Sequence, residues 1–235
     1  MNFSDFCTAS AAALWLLSAS AQATGMLPES SVVIIEEGDS EGAINLQNTD
    51  GFPVLLLTTL QDIAQDTEKL LIVTPPMARV EPGKTQRVRF MLTSKTPLKT
   101  ERLKRVVFEG VPPQEKDKNS VHITIRQNLP VIIRPAGLAR DEAPWKRLIW
   151  SLKAGVLNVS NPSPYVVRLG QGVTSLPDQV TWTLPYSYVL PGQQLVLTRQ
   201  TKRGDTGAEK ASKVRISPAT TWGFTVDSYE ASLVP

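Results

Sequence analysis

Enzymatic chemistry asks a chain for nucleophiles, bases or metal ligands at workable spacing, and this sequence is poor in them. His122 is the only histidine and Cys7 the only cysteine in 235 residues. A nucleophilic triad needs a base beside its serine or cysteine, and a zinc site needs several His or Cys ligands. His122 stands alone inside an alternating apolar–polar run, and Cys7 falls in a leader expected to be removed. Glu36 and Glu37 are adjacent carboxylates, but neighbours on a strand point to opposite faces, so a solvated strand end explains them. No glycine-rich phosphate-binding pattern occurs. The sequence therefore predicts a protein that is not an enzyme, with no catalytic residues, no metal and no cofactor.

The chemistry that remains is that of the main chain. From Val121 to Pro135 the odd positions are Val121, Ile123, Ile125, Gln127, Leu129, Val131 and Ile133; the even ones through Asn128 are His122, Thr124, Arg126 and Asn128. Side chains alternate across a strand, so one face is apolar and the other polar. An ordinary sandwich strand, with that apolar face in its own core, shows the same pattern. Two features favour an edge instead. The run is long for a sandwich strand, and Pro130 cannot donate into ladders on both sides. A long edge strand with an apolar face is a template for another chain. Strand addition of that kind takes affinity from main-chain hydrogen bonds and specificity from alternate side chains.

The elements that must hold this run read as strands throughout. The chain has 18 prolines, 41% hydrophobic and 20% charged residues, the balance of a folded protein built from short strands and turns. The apolar stretch 11–17 followed by Ala21-Gln22-Ala23 reads as a signal peptide over 1–23, although Asp5 stands where a basic residue is usual. It is too short to span a membrane. Its removal takes Cys7 and leaves 25 basic against 21 acidic residues, a scattered excess with no stripe for nucleic acid. Strand patterns lie near 31–35, 43–48, 53–60, 70–73, 86–92, 103–109 and 121–133. A second series follows near 148–152, 156–160, 165–169, 180–184, 194–198, 213–216 and 222–226. Turn residues such as Glu81-Pro82-Gly83-Lys84 and Pro191-Gly192 separate them. Seven strands apiece, with no helical periodicity, predict two immunoglobulin-like β-sandwich domains, 24–136 and 137–235.

Several motifs in order resemble the periplasmic pilus chaperones of the chaperone–usher pathway. They are Asn48-Thr49-Asp50, Val73-Thr74-Pro75-Pro76, Glu81-Pro82-Gly83 with Gln86-Arg87-Val88-Arg89-Phe90, Val111-Pro112-Pro113, the alternating run ending Arg134-Pro135, and Asn161-Pro162-Ser163-Pro164-Tyr165. The resemblance implies an all-β, L-shaped pair of sandwiches in the periplasm. Its first domain holds pilus subunits by donor-strand complementation and hands them to an outer-membrane usher. Val121, Ile123 and Ile125, with Leu129, match the donor residues. Three aliphatic side chains placed in a subunit groove are worth on the order of 5 kcal/mol before ordering costs. The short segment 114–120, with no cysteine pair nearby, resembles the short-loop branch, whose fibres are rod-like. A self-capped dimer is a further state the resemblance leaves open.

The match departs from the family at the subunit's terminal carboxylate. The arginine and lysine that usually anchor it are replaced by Val32 and Pro130. Arg126, on the face of Pro130, is the substitute the sequence offers, against the plain alternative of a solvent-facing charge. Arg89 matches a family arginine with no assignable role. Arg134 matches an arginine that braces the domains through acids, whose positions here point to Glu109 and Asp227. Two other classes would leave different signatures. A pilus subunit or adhesive sandwich would show one incomplete domain and a free N-terminal extension, and a carbohydrate-binding accessory would show clustered exposed aromatics. Trp145 and Trp150 are explained by core or junction packing.

Overall fold

Alternation punctuated by proline does yield strands almost everywhere. The computed structural model describes residues 25–113, 124–200 and 211–234. Its first strands are β1 (Met26–Pro28), β2 (Val33–Glu36), β3 (Glu41–Asn48), β4 (Val54–Gln61), β5 (Leu71–Thr74), β6 (Met77–Val80), β7 (Thr85–Leu92), β8 (Arg102–Val111) and β9 (Arg126–Arg134). They pair in the order β5-β7-β3-β2-β9-β8-β4-β6, with β1 beside β3. β2 meets β3 at one pair, Glu36 with Glu41, and otherwise runs parallel to β9. The sheet thus folds over at β2 into two layers. Ile44, Leu46, Val88 and Phe90 from one layer meet Leu56, Val106, Phe108, Val131 and Ile133 from the other. Period-two patterning selects those residues: in β7, Val88 and Phe90 are buried while Arg87 and Arg89 face out. Arg89 is ion-paired with Glu41 of β3.

The second domain opens with β10 (Ile149–Lys153), β11 (Val156–Ser160) and β12 (Val167–Arg168). β10 and β11 belong to an eight-stranded sheet, and β12 pairs with Tyr188–Val189. Trp145, Trp150, Leu157, Trp182 and Val214 form its core. Strands at Met26–Pro28, Met77–Val80, Gly172–Leu176 and Tyr229–Val234 were not legible in the sequence, because most are short or carry weak alternation. The strand expected at 222–226 is a reversal instead. The amide of Thr220 donates to Phe224 O (2.7 Å) and that of Gly223 to Thr220 O (2.9 Å). Gly223 adopts φ +89°, so alternating Trp222 and Phe224 end up on an exposed turn.

One device closes both sandwiches. Asn48 is fully buried; its side-chain amide donates to Phe52 O and Val80 O, both 2.9 Å, and its Oδ1 accepts the amide of Asp50. Its main chain is clamped by the turn after β6, donating to Lys84 O and accepting from Gly83 N. Asn161 repeats the pattern. Its amide donates to Tyr165 O and Val189 O, its Oδ1 accepts from Ser163, and its main chain bonds Gln193 O and Gly192 N. Gly83 and Gly192, at φ +70° and +72°, supply the left-handed residue each turn requires. The motifs beginning at Asn48 and Asn161 are therefore structural staples.

The stretch from β4 to β5 is held by charge. Lys104 on β8 has a side chain 3% exposed. It donates to Asp66 O (2.7 Å), Asp66 Oδ1 (2.9 Å) and Asp62 Oδ1 (3.2 Å). Arg102 grips both oxygens of Asp66 at 2.6 Å. Burial works to raise the Asp66 pKa, but the hydrogen bonds from Arg102 and Lys104 prevail and hold it below its ordinary value.

Replacing Asn48 or Asn161 with Ala strands buried carbonyls and should cost about 1–3 kcal/mol, read as a lower urea midpoint; an unchanged midpoint would show the staple to be dispensable. Asp66→Asn should destabilise the protein at neutral pH. A depressed folded pKa gives stability that is present above the unfolded value of 3.8 and lost as pH falls through the folded one. The gap between variant and wild type should therefore close on acidification, and a gap constant with pH would contradict this.

Candidate functional site

β9 divides into two unequal situations. Along its whole length it is antiparallel to β8, from Glu109 opposite Arg126 to Arg102 opposite Ile133. On its other side β2 begins only at Val33, opposite Val131. Residues 126–130 thus present an unpaired edge, while 131–134 form an interior strand. Pro130 is the last residue of the open part, where a missing N–H leaves no gap in the β2 ladder.

The two faces of β9 differ as the alternation requires. Val131 and Ile133 lie in the first core, and Leu129 is half-buried against it. Gln127 donates to Met26 O of β1 and closes that end of the core. Ile125 continues the same face beyond the closure and is 48% exposed. About half of its surface is thus left uncovered by the described residues. Val121 and Ile123, the other donor residues expected from the sequence, lie outside the described residues, as does His122. Leu129, the fourth expected subunit contact, is partly buried against the chain's own core.

On the opposite face, Arg126 is exposed and its Nε donates to Glu109 Oε2 at 2.7 Å. The carboxylate expected to brace Arg134 is therefore committed elsewhere. Arg134 sits at the far end of β9, one step past the Arg102–Ile133 pair. Glu109 is eight residues along β8 from Glu101, about 26 Å away at strand rise. Asp227 is exposed and forms no ion pair with a described residue. The partners Arg134 does meet are Glu36, 3.2 Å from Nη1, and Glu101, 3.2 Å from Nε but not aligned as a hydrogen bond. Sequence reasoning missed Glu101; the signal that finds it is the antiparallel register between β8 and β9.

Glu101 links the domains by main chain and side chain. Its amide donates to Pro164 O (2.9 Å), and its Oε2 accepts the amide of Val166 (2.8 Å). Burial raises its pKa, opposed by the Val166 bond and the Arg134 charge. Glu36 also meets Arg140 at 3.3 Å, and Glu37 accepts from the amides of Leu98 and Ala136. The adjacent acids are thus not a solvated strand end; they tie the interdomain segment to β2. Val32, Ile63, Leu103, Ile132, Val166 and Tyr188 pack as an apolar seam between the domains.

Comparison with known proteins identifies the family. Residues 25–139 match the model of the pili and flagellar-assembly chaperone PapD N-terminal domain, and 143–229 that of the pili assembly chaperone PapD C-terminal domain. The chain belongs to the pilus-assembly chaperones. An uncharacterized fimbrial chaperone of Escherichia coli K12, YhcA, is 41% identical over 212 residues, covering 90% of this chain and 92% of that one. The Klebsiella pneumoniae chaperone MrkB is 26% identical, covering 86% and 96%. Among solved structures, the Salmonella enterica complex of SafA pilin with the SafB chaperone matches with a TM-score of 0.71 at 20% identity, over 91% and 99% of the chains. At that identity the likeness concerns the fold.

In this pilus chaperone Val32 is 4% exposed, sealed in the seam at the position where relatives are expected to carry a cation. Arg134→Ala should leave Glu101 buried and uncompensated, costing about 3–5 kcal/mol. Pairing Arg134→Met with Glu101→Leu should recover much of that loss, as measured by denaturation; no recovery would argue against the ion pair as the cause.

Proposed function

We propose that this chaperone works in the periplasm, after removal of residues 1–23, by adding its own strand to pilus subunits and passing them to an outer-membrane usher. The carrying observation is the open edge at 126–130 with the core-face alternation running on past the core, so that Ile125 is about half exposed. Val121 and Ile123 continue the sequence pattern on that face. An apolar groove in a subunit that lacks a strand would cover all three side chains while its main chain bonds the edge. The solved relative SafB is seen with a pilin, which supports a subunit as the occupant. The even-face charge Arg126 is held by Glu109, so a client carboxylate at Arg126 would first have to displace that pair.

Co-expression with the pilus subunits encoded beside its gene tests this. Ile125→Asp and Ile123→Asp should each abolish subunit capture, and Ile125→Asp should leave near-UV circular dichroism unchanged. Leu129→Asp should instead unfold the first domain, because that side chain packs in the chaperone's own core. Capture that survives both Ile substitutions in a folded protein would refute strand addition.

A further inference from the structure

The second domain keeps its described tryptophans in its core except at one turn. Trp145, Trp150 and Trp182 are buried there, whereas Trp222 is 48% and Phe224 72% exposed. The turn that carries them is fastened from several sides. Arg168 of β12 donates to Thr220 O (2.8 Å), Thr221 Oγ1 to Asp141 O (2.8 Å), and the Phe224 amide to Thr220 Oγ1 (3.1 Å). Arg140, itself paired with Glu36, lies over the Trp222 ring, 5.5 Å from its centroid. Exposed aromatic rings on a rigid mount lose little freedom on binding and are favoured as anchors of protein interfaces.

The turn leans on the first domain. Ser31 Oγ donates to Gly223 O at 3.3 Å. A Cβ on Gly223 would stand 2.1 Å from Ser31 Oγ and 3.5 Å from Val32 Cγ1, and its φ is +89°. Glycine is what lets the turn lie this close. β2 begins at Val33, opposite Val131. Ser31 therefore stands at the closed end of the lane that an added strand would take beside residues 126–130, and the aromatic turn is seated at that end.

We propose that Trp222 and Phe224 are a second contact for the pilus subunit held on the β9 edge, offered by the second domain and fitted to an uncharged apolar patch on the subunit's surface. The inference rests on the strand-addition reading, because continuity with the edge identifies the occupant. A sugar is another ligand that exposed aromatics suit, but a small-molecule site also needs convergent polar groups. Here the Thr220 hydroxyl accepts from Phe224 and the Thr221 hydroxyl donates to Asp141, so both are spent on placing the turn. An added strand fixes the subunit along a line. A contact from the other domain fixes its rotation about that line.

The test uses the full chain labelled with 5-fluorotryptophan and the unlabelled pilus subunit encoded beside its gene. The 19F signal lost in Trp222→Phe belongs to Trp222, and it should move on capture more than those of Trp145, Trp150 and Trp182. Trp222→Ser combined with Phe224→Ser should fold as wild type by far-UV circular dichroism yet release the subunit about tenfold faster or more. Val196→Ser, which removes a 61% exposed apolar side chain elsewhere in the second domain, should leave release unchanged. Wild-type release from the double variant overturns the inference, as does a Trp222 signal that stays in place on capture. A double variant that changes only self-association makes a second copy the occupant, and a Trp222 signal that saturates with an N-acetylglucosamine oligomer makes it a sugar; either result overturns the proposal. Ile125→Asp should abolish capture altogether. Capture that survives it refutes strand addition, whereas lost capture there beside normal release from the aromatic variant refutes the second contact alone.

Discussion

Everything in the first domain turns on the fact that β9 has two neighbours over half its length and one over the rest. Backbone N–H and C=O groups must be bonded to protein or to water, so the paired half is rigid interior and the unpaired half is a reactive edge. β2 decides where the change occurs. It leaves β3 after one pair and crosses to β9, which both folds the sheet into a sandwich and sets the limit of the open edge. The same crossing places Val32 in the seam between domains, so edge, core and junction meet within a few residues.

An open apolar edge is a hazard to the protein that carries it, since it invites pairing with any exposed strand. This chaperone confines the hazard. Gln127 closes the core just inside the half-exposed Ile125, Pro130 interrupts the donors, and Arg126 with Glu109 puts charge on the outer face. The repeated asparagine staples fix the turns of each sandwich, and the Glu101–Arg134–Glu36 cluster fixes one sandwich to the other. One strand thus carries both the open edge and the interdomain brace, with Arg126 at one end and Arg134 at the other.

The staples also show how far sequence motifs carry. The motifs at Asn48 and Asn161 stand out in the sequence as family markers, yet neither touches the edge. Their buried amides bond the carbonyls of Phe52 and Val80 in one domain and of Tyr165 and Val189 in the other, and a replacement would remove those bonds from a buried setting. A residue can mark a family because the fold needs it rather than because the function does.

The sequence by itself determined the fold class, the two-sandwich organisation, the poverty of catalytic groups and the face on which Ile125 lies. Each of these follows from local alternation, turn residues and counting. It misjudged 222–226, where alternating Trp222 and Phe224 mimic a strand while Gly223 reverses the chain. It also chose Glu109 over Glu101 as the partner of Arg134. Only the tertiary structure decided those points, along with the extent of the open edge and the partial burial of Leu129. Alternation fixes which way a side chain points, but not which residue of a distant strand stands opposite. That depends on register, and register is set by long-range packing of the whole core.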